Sequence, residues 1–241
     1  AINHSAISAY NLLSATSVLD AGPLAQELDN QNRERQRVTR EIQIQAEEMA
    51  RQKEGESHLF FVVSPDFNPG VVGLTAARLM EKYYRPAVVA FQSESYTRGS
   101  CRSIPEFHIT NALDACADLL EHHGGHAAAA GFTVTNENLP ALVEKLEAIA
   151  AEILGGQDLR PVLHAEMEVP LSALTFDLKS QLDLLEPTGY GNLRPAFVSR
   201  GLLVKNSTLV GKDKSHLKML VSDGRLVFDA IAFRQGHWHN K

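Results

Sequence analysis

The chain has 241 residues, of which 44% are hydrophobic, and its formal net charge is −6. This length suits one large domain or two ordinary ones, each with its own core, and the composition is that of a globular protein. We expect a cytoplasmic protein that does not enter membranes, because no run approaches the roughly 20 apolar residues of a membrane span and the first residues lack a signal-peptide pattern.

A long helix is predicted over residues 23–53. Side chains suited to packing recur there at three- and four-residue steps, and they form a thin stripe of Leu24, Leu28, Gln31, Arg35, Val38, Ile42 and Ala46. A helix that is polar around most of its circumference usually spans between domains or lies on a surface. We therefore interpret residues 1–56 as a helical connector.

An α/β domain is predicted over residues 57–156. A strand at 59–63, a helix at 71–84 and a strand at 87–91 form the βαβ pattern of an α/β layer. The remaining predicted elements are a strand at 97–103, a helix at 109–122, a strand at 131–134 and a helix at 140–154. Residues 155–158, Gly-Gly-Gln-Asp, are predicted to form a linker.

Residues 157–241 have an all-β character. Five short alternating segments are predicted as strands, at 162–169, 196–204, 206–210, 216–221 and 226–233, with a short helix at 178–184. About five strands in roughly 75 residues favour a small barrel of the oligonucleotide/oligosaccharide-binding (OB) kind.

The C-terminal end of the chain is basic although the chain as a whole is acidic. From Arg194 onward there are 9 Lys and Arg against 3 Asp and Glu. Such a distribution is typical of a polyanion-binding patch, but solvated surfaces produce similar runs more often. Both interpretations stay open on charge alone.

The segment 124–132, Gly-Gly-His-Ala-Ala-Ala-Ala-Gly-Phe, combines two flexible glycines and a histidine with four small residues. Backbone N–H groups at Gly124 and Gly125 can approach a phosphate closely, and His126 can add a donor. The plainer interpretation is a helix end with Gly124 as its C-cap. We predict both, namely a cap whose free N–H groups face the phosphates of a substrate.

Two other segments favour the same kind of ligand. Residues 68–73 open a helix, where free N–H groups and the positive dipole end attract anions, although a plain helix start explains them too. In residues 99–103, Ser100 and Arg102 are predicted to point to one face of a strand. A hydroxyl beside a guanidinium suits a phosphate, and an ordinary surface strand is the alternative.

No complete catalytic site is predicted. His122, His123 and His126 have no neighbouring carboxylate cluster, and no Gly-x-Ser-x-Gly motif is present. Cys101 and Cys116 lack zinc-type spacing, so neither a structural metal nor a disulfide framework is predicted. The sequence predicts a binding platform without the groups that cut a bond.

Taken together, the segments resemble the RecJ family of single-strand-specific 5′-3′ exonucleases, which belongs to the DHH phosphoesterase superfamily. Residues 68–79, 84–86, 99–103 and 124–131 resemble its DHH-associated domain, and 185–192, 210–212, 216–218 and 228–233 resemble its OB-fold domain. Residues 32–36 resemble its interdomain connector. The chain departs from the family at residues 3–7, which are at most a degraded form of a connector motif of the family. A divergent paralogue is therefore an open alternative.

The resemblance implies a fold and an enzyme. The fold is a long connector helix, a DHH-associated α/β domain with a mixed sheet flanked by helices, and an OB barrel that is complete or truncated at its end. In this family, the phosphodiester bond is hydrolysed with manganese or magnesium ions bound by an N-terminal DHH domain. None of that domain's motifs is present in this sequence. We expect the C-terminal part of such an enzyme, inactive alone and without a metal of its own.

The resemblance also implies roles for individual residues. The 5′-terminal phosphate is expected to bind at Ser100, Arg102 and Ser103, under a loop with Gly124, Gly125 and His126. The OB domain is expected to track single-stranded DNA with Lys205, Lys212, Lys214, Lys218, Arg225 and Phe233. The plainer interpretation of those lysines is solvated loops.

We expect a monomer that acts in DNA repair and recombination, with a single-strand-binding protein or a helicase as a partner. Two alternatives stay open. One is a non-catalytic scaffold of a replication or repair complex. The other is a phosphoesterase for short oligoribonucleotides or cyclic dinucleotides, against which the OB-like end argues.

Overall fold

Two helices open the described part of the computed structural model, which comprises residues 6–52, 57–189 and 191–239. They are α1 (Ile7–Ser14) and α2 (Val18–Arg51). Helix α2 begins before the predicted start, because the Ser17 side chain caps it by accepting a hydrogen bond from the Asp20 N–H. Residues 3–5 and 53–56, on which parts of the connector prediction fall, lie outside the described residues.

The last turns of α2 pack against the domain that follows. The less exposed side chains of α2 follow the predicted stripe, and the buried ones are Ile42, Ala46 and Ala50. Nearby, Glu47 accepts a 2.7 Å hydrogen bond from Lys82 of the next helix. The helix therefore belongs to the first of two compact units, Ala1–Pro161 and Val162–Lys241. None of the described helices has both the length and the apolar character needed to cross a bilayer.

The first unit contains a mixed sheet, as the resemblance implies, with five strands where the sequence pattern predicts four. The strands are β1 (Phe60–Ser64), β2 (Ala87–Gln92), β3 (Tyr96–Arg102), β4 (Leu120–His126) and β5 (Ala129–Thr135). Their order is β1-β2-β3-β5-β4. Strands β1 and β2 are parallel and joined by α3 (Val72–Tyr83), while the remaining pairs are antiparallel.

The sheet has a core on each face. On one face, Phe60, Val62 and Val89 pack with residues of α2 and α3. On the other face, side chains including Phe61 and Phe132 pack with α4 (Ile109–Asp114) and α5 (Leu139–Leu154). Among the described residues, β4 and β5 contribute nothing to the first core. Since Gly73 of α3 lies next to Ser100 and Arg102 of β3, the helices cover that face over β1, β2 and part of β3.

The predicted helix over residues 109–122 is wrong in its second half. Helix α4 ends at Asp114, a single 3-10 turn covers Ala117–Leu119, and residues 120–126 form strand β4. Gly124 is therefore not a helix cap. The apolar spacing of residues 109–122 predicted a helix, but residues 120–126 form a strand because they are hydrogen-bonded to β5. Local sequence does not show this pairing.

The second unit contains a three-stranded antiparallel sheet and a two-stranded parallel pair. Strands β8 (Leu203–Val210), β9 (His216–Ser222) and β10 (Val227–Ala232) form the first, in the order β10-β9-β8. Strands β6 (Met167–Glu168) and β7 (Phe197–Val198) form the second. Helix α6 (Phe176–Asp183) lies between β6 and β7 in the sequence. No closed barrel is detected in the described residues of this unit.

Two predicted strands of this unit are shorter than expected. The segment 162–169 is a strand only at its end, since Val162 and Leu163 are exposed side chains without a strand partner. The segment 196–204 is interrupted at Gly201, whose φ of 66° is a left-handed conformation that breaks a strand. Local alternation predicted these strands, but pairing partners are needed to form them.

Candidate nucleic-acid interface

Three neighbouring strands of the first unit place their residues in rows. Ser100 of β3 lies opposite Gly131 of β5, which lies opposite Gly124 of β4. Residues opposite one another point to the same face, as do residues two apart along a strand. We call this surface the open face, and it comprises Arg98, Ser100, Arg102, His122, Gly124, His126, Ala129, Gly131 and Thr133. None of these nine residues is acidic.

The first turn of α3 lies against the open face. A Cβ atom built on Gly73 would lie 3.2 Å from Arg102 Nη2 and 3.4 Å from Ser100 Oγ. The N-terminus of α3 has no side-chain cap, so its positive end is available beside these two groups. The structure thus brings together two of the segments that the sequence singles out, residues 68–73 and 99–103.

The Arg102 guanidinium retains donors for an anion. Its Nη1 atom donates a 2.8 Å hydrogen bond to the Cys101 carbonyl oxygen. Within the described ranges, no carboxylate forms an ion pair with Arg102, although many other arginines are paired in this way. Because a guanidinium carries five N–H donors, several remain for a ligand.

Ser103, which is also predicted to bind the phosphate, lies outside the open face. Its hydroxyl is buried and donates a 2.6 Å hydrogen bond to the Phe107 carbonyl oxygen. Its backbone N–H donates to the carbonyl oxygen of Ala128 in the β4–β5 turn. Ser103 therefore ties the end of β3 to this turn.

The two glycines of β4 have different surroundings. A Cβ on Gly124 would meet nothing within 4 Å, so the open face is unobstructed there. A Cβ on Gly125 would collide with the backbone of Ala129 and Ala130. Gly125 thus allows close approach of two strands, whereas Gly124 leaves room for a ligand. His126 lies in the row of Arg102, and its carbonyl oxygen accepts a hydrogen bond from Thr110.

Sequence reasoning gave Arg98 and His122 of the open face no role in phosphate binding. Both line a groove of about 430 Å³ that also includes Ser100 and Thr133. His123 binds Asp114 of α4 at 2.8 Å, which is on the other side of the sheet from His122. Alternation along residues 122, 124 and 126 is the signal that finds His122, but only if the segment is interpreted as a strand.

The predicted DNA-tracking residues of the second unit occupy three places along its sheet. Lys212 and Lys214 lie in the turn between β8 and β9, and Arg225 lies in the turn at the opposite end of β9. Lys205 falls in a β-bulge of β8. Lys218 lies between these ends and forms a 3.0 Å ion pair with Asp229. Since β9 has seven residues, about 20 Å separate the two turns.

Phe233 and Arg234 lie at the same end as Lys212 and Lys214. The exposed ring of Phe233 contacts His216 edge-on, with centroids 5.5 Å apart. Arg234, which sequence reasoning missed, donates its backbone N–H to His216 Nδ1 at 3.0 Å. The C-terminal unit therefore has a basic end with an aromatic ring, which is a composition suited to nucleic acid.

The described residues do not contain a cluster suited to a metal ion. No three His, Cys, Asp or Glu side chains among them lie close enough to share one. Burial raises the pKa of the Cys101 thiol to about 12, and burial also raises the pKa of Cys116. Both thiols are therefore protonated at neutral pH and are poor metal ligands.

Comparison with known proteins identifies two domain families in the chain. Residues 55–152 match the DHHA1 domain, and residues 165–241 match the RecJ OB domain. The single-stranded-DNA-specific exonuclease RecJ of Bacillus subtilis is 31% identical over 230 residues, which are 95% of this chain and 29% of that protein. RecJ of Thermus thermophilus is 31% identical over 193 residues, covering 80% of this chain and 28% of that protein.

Solved structures agree with these matches. The crystal structure of Thermus thermophilus RecJ in complex with Mg²⁺ has a TM-score of 0.76 at 28% identity, and the complex with Mn²⁺ has a TM-score of 0.77. The match covers 96% of this chain and 35% or 33% of those chains. This chain therefore spans about a third of the relatives' length.

Proposed function

Since the chain belongs to the RecJ family, we propose that it holds the 5′ end of single-stranded DNA for a 5′-3′ exonuclease of DNA repair and recombination. The observation that carries the proposal is the meeting of Gly73, Ser100 and Arg102 on the open face. A helix N-terminus, a hydroxyl and a guanidinium are there together, without a competing carboxylate among the described residues.

This arrangement suits a terminal phosphate better than an internal one. A phosphate monoester carries about −1.5 to −2 charges at pH 7 and has three free acceptor oxygens. An internal phosphodiester carries about one charge. The Arg102 fork can engage two oxygens while Ser100 donates to the third. Preference for the chain end would give the exonuclease its 5′ polarity.

Other residues of the open face complete the grip. His126 lies one row from Gly124, and we assign it a donor role beside the bound nucleotide. Gly124 leaves space for the strand to lie against β4. Ser103 has an indirect role and holds the end of β3 in place, because its hydroxyl already donates a hydrogen bond to the Phe107 carbonyl oxygen.

In the second unit, we propose that the single strand follows the sheet between its two basic ends. Lys212, Lys214 and Phe233 contact it at one end, and Lys205 and Arg225 contact it at the other. Charge attracts the phosphates, and the Phe233 ring offers a stacking surface that accepts any base. Lys218 contributes less, since Asp229 already neutralises it.

We propose that the bond is cleaved by a region of the longer enzyme that corresponds to the part of the relatives outside the match with this chain. The described residues do not fit a metal ion, whereas the Thermus structures contain Mg²⁺ or Mn²⁺ in chains about three times as long. The 241 residues alone are therefore expected to bind DNA without cutting it. Incubation of the pure chain with labelled single strands and Mn²⁺ or Mg²⁺ tests this, and progressive shortening of the strand contradicts it.

Binding of 5′-phosphorylated and 5′-hydroxyl oligonucleotides tests the proposed site. We expect the chain to prefer the phosphorylated strand, and the Arg102→Ala variant to lose about tenfold or more in affinity for it, because a hydrogen-bonded charge pair is removed. Arg78→Ala is the matched control, since Arg78 is an arginine of α3 already paired with Glu81. Equal binding of both strands by the unaltered chain would sink the proposal.

Oligomeric state and protein partners belong to the same proposal. A monomer is sufficient for the binding described, because the open face and the basic end each lie within a single chain. A single-strand-binding protein or a helicase would deliver that strand. A non-catalytic scaffold of a repair complex would use the same two surfaces, and nuclease activity of the longer protein distinguishes the two functions.

A further inference from the structure

We propose that Arg98 and His122 form a second phosphate subsite on the open face, which holds the internal phosphate next to the 5′ end. The inference rests on the proposed function, because it extends the binding site for the terminal phosphate by one nucleotide. The terminal phosphate lies at Ser100 and Arg102, and the strand then runs along β3 toward Arg98.

The register of the strands places this subsite. Arg98, Thr133 and His122 form one row across β3, β5 and β4, and Ser100, Gly131 and Gly124 form the next. Rows on one face are two residues apart, which is about 7 Å in an antiparallel sheet. This spacing is comparable to that between successive phosphates of an extended single strand.

The groups of this row suit a phosphodiester. The exposed Arg98 guanidinium lies over the Tyr96 ring, 5.9 Å from its centroid, and within the described part of the chain it has no carboxylate partner. His122 is also exposed, and the Thr133 hydroxyl lies between the two in the row. A cation, an imidazole and a hydroxyl line one groove of about 430 Å³ and offer it donors along a single row.

The contrast between neighbouring histidines supports a ligand role for His122. His123 lies on the opposite side of β4 and is bound to Asp114, so its contact holds β4 to α4. No described residue makes a comparable contact with the His122 ring. Among the described residues, the basic and polar groups of the Arg98 row therefore make few contacts that hold the fold together.

A dinucleotide with one altered linkage tests the subsite. The two probes are d(pTpT) and its analogue with an uncharged methylphosphonate between the nucleosides. We expect the chain to bind d(pTpT) about fivefold more tightly than the analogue, because only d(pTpT) offers the internal phosphate charge to Arg98 and His122. The variants Arg98→Ala and His122→Ala should lower affinity for d(pTpT) and leave affinity for the analogue unchanged.

Two further variants separate this inference from the proposed function. Arg102→Ala should weaken both probes equally, because they share the terminal phosphate. Arg160→Ala, which removes an exposed arginine paired with Asp158, should change neither. Equal loss of both probes in Arg98→Ala, or no loss of either, overturns the second subsite. Undiminished binding of both probes by Arg102→Ala overturns the terminal-phosphate site itself, and the second subsite with it.

Discussion

Gly73 lies so close to Arg102 that a Cβ atom at position 73 would be 3.2 Å from the guanidinium Nη2 atom. The two residues are far apart in sequence, one in the first turn of α3 and the other at the end of β3. A glycine at this helix position therefore lets an arginine from the sheet lie against the helix start. The contact connects the backbone of α3 to the group that we assign to the terminal phosphate.

Gly73→Ala is expected to weaken binding without harming the fold. The new methyl group pushes the Arg102 side chain by a few tenths of an ångström, and we expect several-fold weaker binding of a 5′-phosphorylated strand. Alanine favours the helix by up to about 1 kcal/mol, so the urea midpoint should stay or rise. Gly22→Ala in α2 is the control, since nothing lies within 4 Å of its Cβ position. Unchanged affinity of Gly73→Ala contradicts the assignment.

Gly99→Ala is expected to destabilise the first unit. Its Cβ would enter the space of the buried Phe132 ring, which lies directly opposite in the sheet. Overpacking of this kind costs about 1–3 kcal/mol. Urea unfolding measures the loss. Gly124→Ala is the control because its Cβ position is open, and a similar loss there would show that overpacking is not the cause.

The ion pair between Glu47 and Lys82 is expected to stabilise the docking of α2 in a pH-dependent way. Burial raises the pKa of Glu47, but hydrogen bonds from Lys82 and Gln43 outweigh it, so the pKa is lowered overall. A lowered folded-state pKa gives stability that is present above the unfolded value, about 4.3, and is lost as pH falls through the folded value. Glu47→Gln should therefore be less stable than the unaltered chain at pH 7 and equally stable in strong acid.

Thermal unfolding between pH 7 and pH 3 measures this difference. Glu48→Gln is the control, because Glu48 is exposed and 3.9 Å from its partner Arg51. Exposed pairs of this kind contribute little. A stability difference for Glu47→Gln that does not shrink with falling pH contradicts the role of the ion pair.

Binding of single strands is expected to depend on salt through the basic end of the second unit. Replacing Lys212 and Lys214 by Gln should reduce the slope of log affinity against log salt by about 1.4, or about 0.7 for each phosphate that is no longer neutralised. Fluorescence titrations at several salt concentrations measure the slope. Lys179→Gln, which alters a lysine of α6 paired with Asp183, should leave it unchanged. An identical slope in the double variant refutes the role of these two lysines.

The two cysteines are expected to resist thiol reagents in the folded chain. Burial raises the pKa of Cys101 to about 12, so at pH 8 only about one thiol in ten thousand is ionised. Burial raises the pKa of Cys116 as well. Colorimetric thiol titration should detect neither in native buffer and both after unfolding. Rapid reaction of the native chain would show that these residues are accessible.

Local sequence predicted much of the fold and part of the interface. The stripe along α2 and the βαβ pattern follow from periodicity, because a helix or a buried strand needs apolar residues at its own spacing. The mixed sheet follows from the family resemblance. Alternation along β3 is enough to place Ser100 and Arg102 on one face of a strand. That the C-terminal segment is basic also follows from composition alone.

Only the tertiary structure decided which segments meet. Residues 120–126 are a strand because β5 pairs with them, and that pairing puts His122 opposite Thr133, in the row of Arg98. At the end of β3, Ser103 lies outside the open face, and its hydroxyl donates a hydrogen bond to the Phe107 carbonyl oxygen. In the second unit, the turns of the sheet separate lysines that look like one tract in sequence. A strand forms only against a partner strand, so the pattern within one segment does not show which segment it pairs with.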